Sequence, residues 1–191
     1  MKYSLKFRIW HWLNAIVVLG LLGTVFLRKT FLSWRTNSEI LLTKLTDMDY
    51  DVTAEEAKIL AKAVRAGMWE WHIILGYALA FLVLYRIYLF FFDNSEKVEF
   101  SSLYMHHKAV KISYYVIYVT IFFMTVSGLA IHFYQDLGLS KDTAHDIKEI
   151  HEAVFNVLFI WTPLHVAGVF VADAKDENGL ISSMIHGKKI N

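Results

Sequence analysis

The sequence of 191 residues contains no cysteine. This absence excludes cysteine-ligated iron–sulfur clusters, the Cys-x-x-Cys-His attachment of c-type haem and any disulfide framework. A strong net charge is missing too, because 19 Lys and Arg oppose 18 Asp and Glu. The sequence therefore lacks the basic footprint of a nucleic-acid-binding protein, and no nucleic-acid partner is expected.

Apolar residues, by contrast, make up 56% of the chain, whereas about 45–50% is usual in a soluble domain. Four apolar stretches reach the roughly 20 residues that cross a bilayer core. They are Ile9–Leu27, Trp69–Phe92, Ile112–Phe133 and Val154–Ala172. Because lipid tolerates only backbone whose hydrogen bonds are closed internally, the pattern predicts an all-α membrane protein, a four-helix transmembrane bundle.

The remaining sequence shows no repeat and no second domain, so residues 1–191 are expected to form one membrane domain. The first apolar run is too long for a signal peptide and lacks a cleavage site, so it is expected to be a retained span. The polar segment 28–68 should hold one helix after Asn37 or Ser38 and another at Thr53, where Thr53-Ala-Glu-Glu56 has the form of a capping box. Lys and Arg are divided equally between the two sides, so charge does not decide the orientation.

Two histidines along the last apolar stretch, His151 and His165, stand fourteen residues apart. On an α-helix this interval covers about 21 Å and ends about 40° short of four full turns. Both imidazoles would then project from one face of the helix at opposite depths. Because ionisable side chains in a membrane span are costly, they are functional candidates by default. Two stacked positions predict two cofactors, one near each membrane surface.

The direction of each span sorts four histidines into two pairs. His11 opens the first span on one side of the membrane, here called side A, and His165 lies toward the same side. His72 and His151 lie toward the opposite side, called side B. Since a non-covalent haem takes histidine as an axial ligand, His11 with His165 and His72 with His151 are each expected to bind one haem iron.

Arg86 supports this arrangement independently. It follows His72 by fourteen residues, which is also the interval between His151 and His165. It is therefore expected at the depth of the side-A pair. A buried arginine there needs an anionic partner, and a haem propionate would provide one through paired hydrogen bonds.

Two glycines and the single proline lie near these histidines. Gly76, one turn after His72, and Gly168, nearly one turn after His165, leave room for a flat macrocycle, so both are expected to contact the cofactor. Pro163 removes a helix hydrogen bond just before His165, which predicts a bend at this point.

Other histidines leave the ligand set open. His132, near the side-B end of the third span, could replace His72 or His151, which are here called the outer pair. His106 and His107 lie at side A and would point about 100° apart on a helix, so at most one faces inward. His145 and His186 lie outside the spans and are expected at the surface.

The residues that carry a family resemblance lie in three spans and the tail. They are His11-Trp12, His72-Ile-Ile-Leu-Gly76 with Arg86, His151-Glu152 followed by His165, and Ile181-Ser-Ser-Met-Ile-His-Gly-Lys. Together they resemble the bacterial di-haem cytochrome b561 family, which is similar to the cytochrome b subunits of membrane-bound nickel–iron hydrogenases. The resemblance implies an antiparallel bundle with both termini in the cytoplasm. It also implies two b-type haems, the cytoplasmic one on His11 and His165 and the periplasmic one on His72 and His151.

The resemblance further implies electron transfer between the quinone pool and a redox partner of a respiratory chain in the bacterial inner membrane. No residue is expected to be catalytic, because bis-histidine iron has no free coordination position. Glu70, Lys111, Glu152 and the spare histidines are candidate proton partners for a quinone, and the sequence selects none of them.

Two other interpretations remain open at this point. One is a haem-bearing membrane anchor subunit of a hydrogenase or dehydrogenase complex, with the long segment 28–68 as a docking surface. The other is a haem-free metal or proton transporter, which leaves Arg86 without an evident anion. The expected partners are membrane lipid, a quinone, a hydrogenase or dehydrogenase subunit and a second copy of the chain.

Overall fold

The computed structural model describes residues 3–93, 105–175 and 179–187. Within these ranges the chain forms helices and no strand: α1 Leu5–Lys29, α2 Trp34–Asp47, α3 Ala54–Phe92, α4 Met105–His132, α5 Lys141–Lys175 and α6 Leu180–His186. Four of them, α1, α3, α4 and α5, contain stretches long and apolar enough to cross a membrane. The prediction of an all-α membrane protein with four spans is confirmed.

Hydroxyl side chains cap the N-termini of three long helices, α1, α3 and α5. Ser4 Oγ and Ser140 Oγ each accept a hydrogen bond from the backbone N–H three residues later, both at 3.1 Å. The predicted capping box is present, since the Thr53 N–H donates to Glu56 Oε2 at 2.9 Å and the Glu56 N–H donates to Thr53 Oγ1 at 3.3 Å. These contacts satisfy backbone donors that the first turn of a helix leaves without partners.

Helix boundaries differ from the sequence-based expectation in the polar segments. The helix predicted at Thr53 and the second span are one continuous helix, α3, of 39 residues. Its length of about 58 Å is about twice the bilayer core, so part of it extends beyond the membrane. Helix α5 begins at Lys141, before the predicted span, and continues through Pro163. No breaker separates span and polar segment in either case, so the helices continue.

The chain divides into two compact units, and residues 1–14 and 80–191 form the first. Here α4 packs along α5, and α6 contacts α5. Trp10 of α1 is only 5% exposed, and its Nε1 donates to the Leu82 carbonyl of α3 at 2.8 Å. Large apolar side chains such as Leu84 and Phe170 lie exposed on the outside, as expected for a surface that faces lipid.

The tail helix α6 belongs to this unit and is tied to the start of α1. Arg8 Nη1 donates to the Ile185 carbonyl at 2.8 Å, and Trp12 Nε1 donates to the Met184 carbonyl at 3.3 Å. Gly187 ends α6 with a φ of 77°, and a Cβ there would lie 2.9 Å from the Arg8 guanidinium carbon. Glycine at this position therefore permits both the turn and the approach of Arg8.

Residues 15–79 form the second unit. A Cβ at Gly20 of α1 would come within 3.0 Å of Leu75 of α3, so the missing side chain permits these helices to pack closely. Helix α2 joins through Trp34, over whose ring two lysines of α3 lie at 5.8 Å. The single membrane domain over residues 1–191 stays a prediction.

Candidate functional site

The imidazoles of His11 on α1 and His165 on α5 lie close together in the first unit. Their ring centres are 6.3 Å apart, and the ring planes are inclined by 56°. A metal between two imidazoles lies about 2 Å from each nitrogen and each ring centre is about 1 Å farther, which gives about 6 Å between centres. The observed separation fits two axial ligands of one iron.

Aromatic side chains surround His165. Trp161, one helical turn earlier on α5, stacks on its ring with centres 4.6 Å apart and planes within 7°. Tyr114 of α4 meets the same ring edge-on at 6.1 Å. These contacts restrict the orientation of the imidazole plane, which is what a ligand to a planar cofactor requires.

Arg86 lies among three aromatic rings of the same unit. Its guanidinium carbon is 5.4, 5.3 and 4.9 Å from the ring centres of Phe7, Trp10 and Tyr118. Its Nη2 donates to Tyr118 Oη at 3.5 Å, and its buried Nε has no hydrogen-bond partner among the described residues. No carboxylate in the described ranges pairs with it. A half-buried guanidinium with an unused donor fits an anionic group such as a haem propionate.

Three buried polar side-chain atoms without a partner belong to α1. In the described part of the chain, the buried side-chain atoms without a partner are Arg8 Nε, His11 Nδ1, Asn14 Oδ1 and Arg86 Nε. Arg8, His11 and Asn14 follow one another at three-residue intervals, which places them on one face of α1. Because buried polar groups are nearly always hydrogen-bonded, this cluster indicates a polar ligand. A haem, with an iron and acidic side groups, fits this set.

His72 of α3 has its own surroundings in the second unit. Its Nδ1 lies 2.7 Å from Thr24 Oγ1 on α1. Its ring stacks on Trp69 with centres 5.1 Å apart, and the Arg28 guanidinium lies 5.3 Å from the centre of the Trp69 ring. A Cβ at Gly76 would meet nothing within 4 Å, and the predicted contact of Gly76 with a macrocycle stays a prediction.

His151 of α5 has similar surroundings in the first unit. Its Nδ1 lies 2.7 Å from Ser127 Oγ on α4. A Cβ at the next residue, Gly128, would lie 3.4 Å from His151 Cε1. The pairing of His151 with His72 stays a prediction, because the two residues belong to different units.

Thr24, Ser127 and Gly128 are not among the site residues that the sequence predicts. They lie inside apolar spans, where hydroxyl and small residues commonly mark helix–helix contacts. That signal was available, but their histidine partners lie on other helices. Only the rotation of one helix against the next determines which hydroxyl meets which imidazole.

The other candidate residues lie elsewhere. His132 is exposed at the end of α4, with its ring centre 4.7 Å from that of Phe133. His145 and His186 are exposed, as predicted. The side chains of His106 and His107 lie outside the described residues.

Gly168 is exposed, and a Cβ there would meet nothing within 4 Å. No group of three or more histidine, aspartate or glutamate side chains gathers around a metal position in the described ranges. Haem iron needs no such group, since the porphyrin provides its equatorial nitrogens.

A cleft of about 390 Å³ opens in the first unit between α3 and α4. Its lining is mostly aromatic and includes Trp10, Tyr114 and Tyr118, together with the cations Arg86 and Lys111. Tyr114 both lines the cleft and touches the ring of His165. The cleft therefore lies one side chain away from the His11–His165 pair.

The candidate proton partners Lys111, Glu70 and Glu152 differ in position. Lys111 lines the cleft. Glu70 is exposed on α3, and Glu152 is exposed beside Lys148, with 3.4 Å between the charged atoms. Among the three, Lys111 lies where a molecule in the cleft would meet it.

In a comparison with protein families, the chain matches a family model described as prokaryotic cytochrome b561. It covers residues 2–187, and therefore all of the helices described above. No curated protein and no solved structure matches the chain.

Proposed function

Because the chain belongs to the prokaryotic cytochrome b561 family, we propose that it is a di-haem b-type cytochrome of the bacterial inner membrane. It would carry electrons between the quinone pool and a redox partner of a respiratory chain. Membership of the family makes it a multi-pass membrane protein that binds haem b and transfers electrons. The observation that carries the finer proposal is the 6.3 Å separation of the His11 and His165 rings.

Haem iron with two histidine ligands supplies reversible one-electron transfer and leaves no position for oxygen. In this proposal His11 and His165 hold one haem, and His72 and His151 hold the other. Arg86 pairs with a propionate of the haem on His11 and His165. The remaining work of the chain is to fix the imidazole planes, to exclude water and to place a positive charge, all of which set reduction potentials.

The cleft between α3 and α4 supports the quinone part of the proposal. Aromatic walls suit a flat ring, and the volume of about 390 Å³ lies in the usual range for a small-molecule site. Lys111 and Tyr118 offer hydrogen-bond donors to ring oxygens. Tyr114 separates this space from His165, so a quinone there would exchange electrons over a short distance.

Filling the cleft is expected to slow haem reduction by a short-chain quinol. Val83 lines the cleft, and Val83→Phe places a phenyl ring in it. We expect the apparent quinol affinity to fall roughly tenfold, or about 1.4 kcal/mol, measured as the rate of haem reduction against quinol concentration. The rate of haem reduction by dithionite should be unchanged, because dithionite does not need to bind in the cleft.

Val119→Phe is the matched control, since Val119 lies on α4, is 68% exposed and does not line the cleft. If both variants respond to quinol as the unmodified protein does, the quinone binds elsewhere.

The test of the proposal as a whole is a reduced-minus-oxidised visible spectrum of the purified protein, combined with the haem-to-chain ratio. We expect the bands of b-type haem and two haems per chain. A ratio of one would contradict the second haem. A colourless protein would contradict both haems and would restore the transporter interpretation, which the family match disfavours.

The membrane-anchor interpretation has one observation in its favour. Segment 28–68 is largely helical and carries exposed apolar side chains, with Phe31 74%, Ile59 59% and Val64 61% exposed. Such side chains fit a protein surface that a partner covers. A hydrogenase or iron–sulfur subunit that co-purifies from solubilised membranes, and is lost when these three residues become serine, would favour the anchor.

A further inference from the structure

The histidines assigned to the outer haem, His72 and His151, meet the same kind of partner. In each case the ring Nδ1 lies 2.7 Å from a hydroxyl oxygen of a neighbouring helix, Thr24 Oγ1 for His72 and Ser127 Oγ for His151. Both distances lie at the short end of the range for N–H···O hydrogen bonds. The two contacts occur in different units of the chain, so they are independent observations.

Each hydroxyl also makes a second hydrogen bond, and this bond determines the direction of the first. Thr24 Oγ1 donates to the Leu21 carbonyl at 2.7 Å, and Ser127 Oγ donates to the Phe123 carbonyl at 2.7 Å. A hydroxyl carries one proton and two acceptor lone pairs. A carbonyl oxygen carries no proton, so a contact of 2.7 Å with it uses the single proton of the hydroxyl. We therefore infer that each hydroxyl accepts its other hydrogen bond from the imidazole.

We infer that Thr24 and Ser127 are positioning residues that hold His72 and His151 in the tautomer with the proton on Nδ1, which places the lone pair that would bind haem iron on Nε2. The inference rests on the proposed function for the identity of the metal. The hydroxyl contacts themselves do not depend on it. In each contact the neighbouring helix fixes both the protonation site and the rotation of the ring.

Gly128 adds to this arrangement at His151. A Cβ there would stand 3.4 Å from His151 Cε1, at the near limit of van der Waals contact. Ser127 thus contacts the His151 ring at Nδ1, and Gly128 leaves the neighbouring Cε1 edge of the same ring without a side chain against it.

His11, of the side-A pair, lacks such a hydroxyl partner among the described residues. The buried Nδ1 of His11 has no hydrogen-bond partner among the described residues. A hydrogen bond from Nδ1–H makes an imidazole a stronger electron donor. This effect should stabilise the oxidised form of the iron on His72 and His151 more than that of the iron on His11 and His165.

The experiment is a redox titration of the full-length, haem-loaded protein carrying Thr24→Val or Ser127→Ala. Both substitutions remove the acceptor and leave the histidine in place. We expect two haems per chain to remain and the midpoint potential of one haem to rise. The expected change in the equilibrium between oxidised and reduced iron is roughly tenfold, or about 59 mV for a one-electron couple. Low-temperature electron paramagnetic resonance should show altered g values for the same haem.

Matched controls come from two threonines of α4 whose hydroxyls donate only to carbonyls of their own helix. Thr120 Oγ1 donates to the Val116 carbonyl at 2.9 Å, and Thr125 Oγ1 donates to the Ile121 carbonyl at 2.8 Å. Thr120→Val and Thr125→Val remove a buried hydroxyl without touching an imidazole, so both midpoint potentials should stay unchanged. Thr24→Ser and Ser127→Thr retain the hydroxyl and should restore the unmodified values.

Selective loss of one haem in Thr24→Val or Ser127→Ala, with retention in the controls, would support the same inference in a stronger form. If the potentials and g values of both variants equal those of the controls, the inference is overturned while the two haems remain. If the unmodified protein itself holds fewer than two haems, the proposed function fails and the inference fails with it.

Discussion

His11→Ala and His165→Ala are each expected to lower the haem content of the purified protein from two per chain to one, and both should lose the same haem. The reason is that neither imidazole alone provides the two axial ligands that a low-spin b-type iron requires. His72→Ala and His151→Ala are expected to lose the other haem. The measurement is the haem-to-chain ratio, with a redox titration to identify which haem remains.

Double variants give the sharpest form of this test. His11→Ala combined with His165→Ala should lose no more haem than either change alone, because both remove the same site. His72→Ala combined with His151→Ala should likewise lose no more haem than either change alone, whereas His72→Ala combined with His165→Ala should remove both haems. This non-additivity assigns ligands to a shared iron directly, and it decides the pairing of His72 with His151.

His132→Ala and His145→Ala are the controls. Both residues are exposed, and both variants should keep two haems. If His132→Ala removes a haem while His72→Ala or His151→Ala does not, the outer ligand pair is assigned wrongly.

Arg86→Gln is expected to weaken the haem on His11 and His165 and to lower its midpoint potential. Removing a group that holds a metal cofactor from outside its ligand shell typically costs about 10–100-fold in affinity. Loss of a positive charge also disfavours the more negative reduced state, and each tenfold effect equals about 59 mV for one electron. Haem retention after dilution in detergent and a redox titration measure the two effects.

Arg86→Lys should fall between Arg86→Gln and the unmodified protein, since lysine keeps the charge but not the planar fork that binds a carboxylate through two bonds. Arg35→Gln removes an equal charge from an exposed position on α2, and it should leave haem retention and both midpoint potentials unchanged. If Arg86→Gln lowers the melting temperature but leaves both potentials intact, Arg86 serves only to pack against its three aromatic neighbours.

Much of this arrangement was predictable from helical periodicity. The fourteen-residue intervals and the direction of each span place His11 beside His165 and put Arg86 at their depth, and the structure brings these three side chains into one unit. Such reasoning needs only the rise and rotation of single helices.

The partners of the histidines were not predictable in this way. That Thr24 meets His72 and Ser127 meets His151 depends on the rotation of one helix against another, and packing sets that rotation. The length of α3 was missed for a different reason. The polar residues before Trp69 predict a helix separate from the span. No residue between Ala54 and Trp69 ends a helix, however, so one helix continues to Phe92.

The unbroken path of α3 from Ala54 to His72 has a mechanical consequence. These eighteen steps span about 27 Å of helix without a proline. Such a segment behaves as a lever arm. Because no residue interrupts the helix, a rotation of its first turns would be carried along the backbone to the turn that holds the His72 imidazole and, in the proposed function, to the haem that it binds.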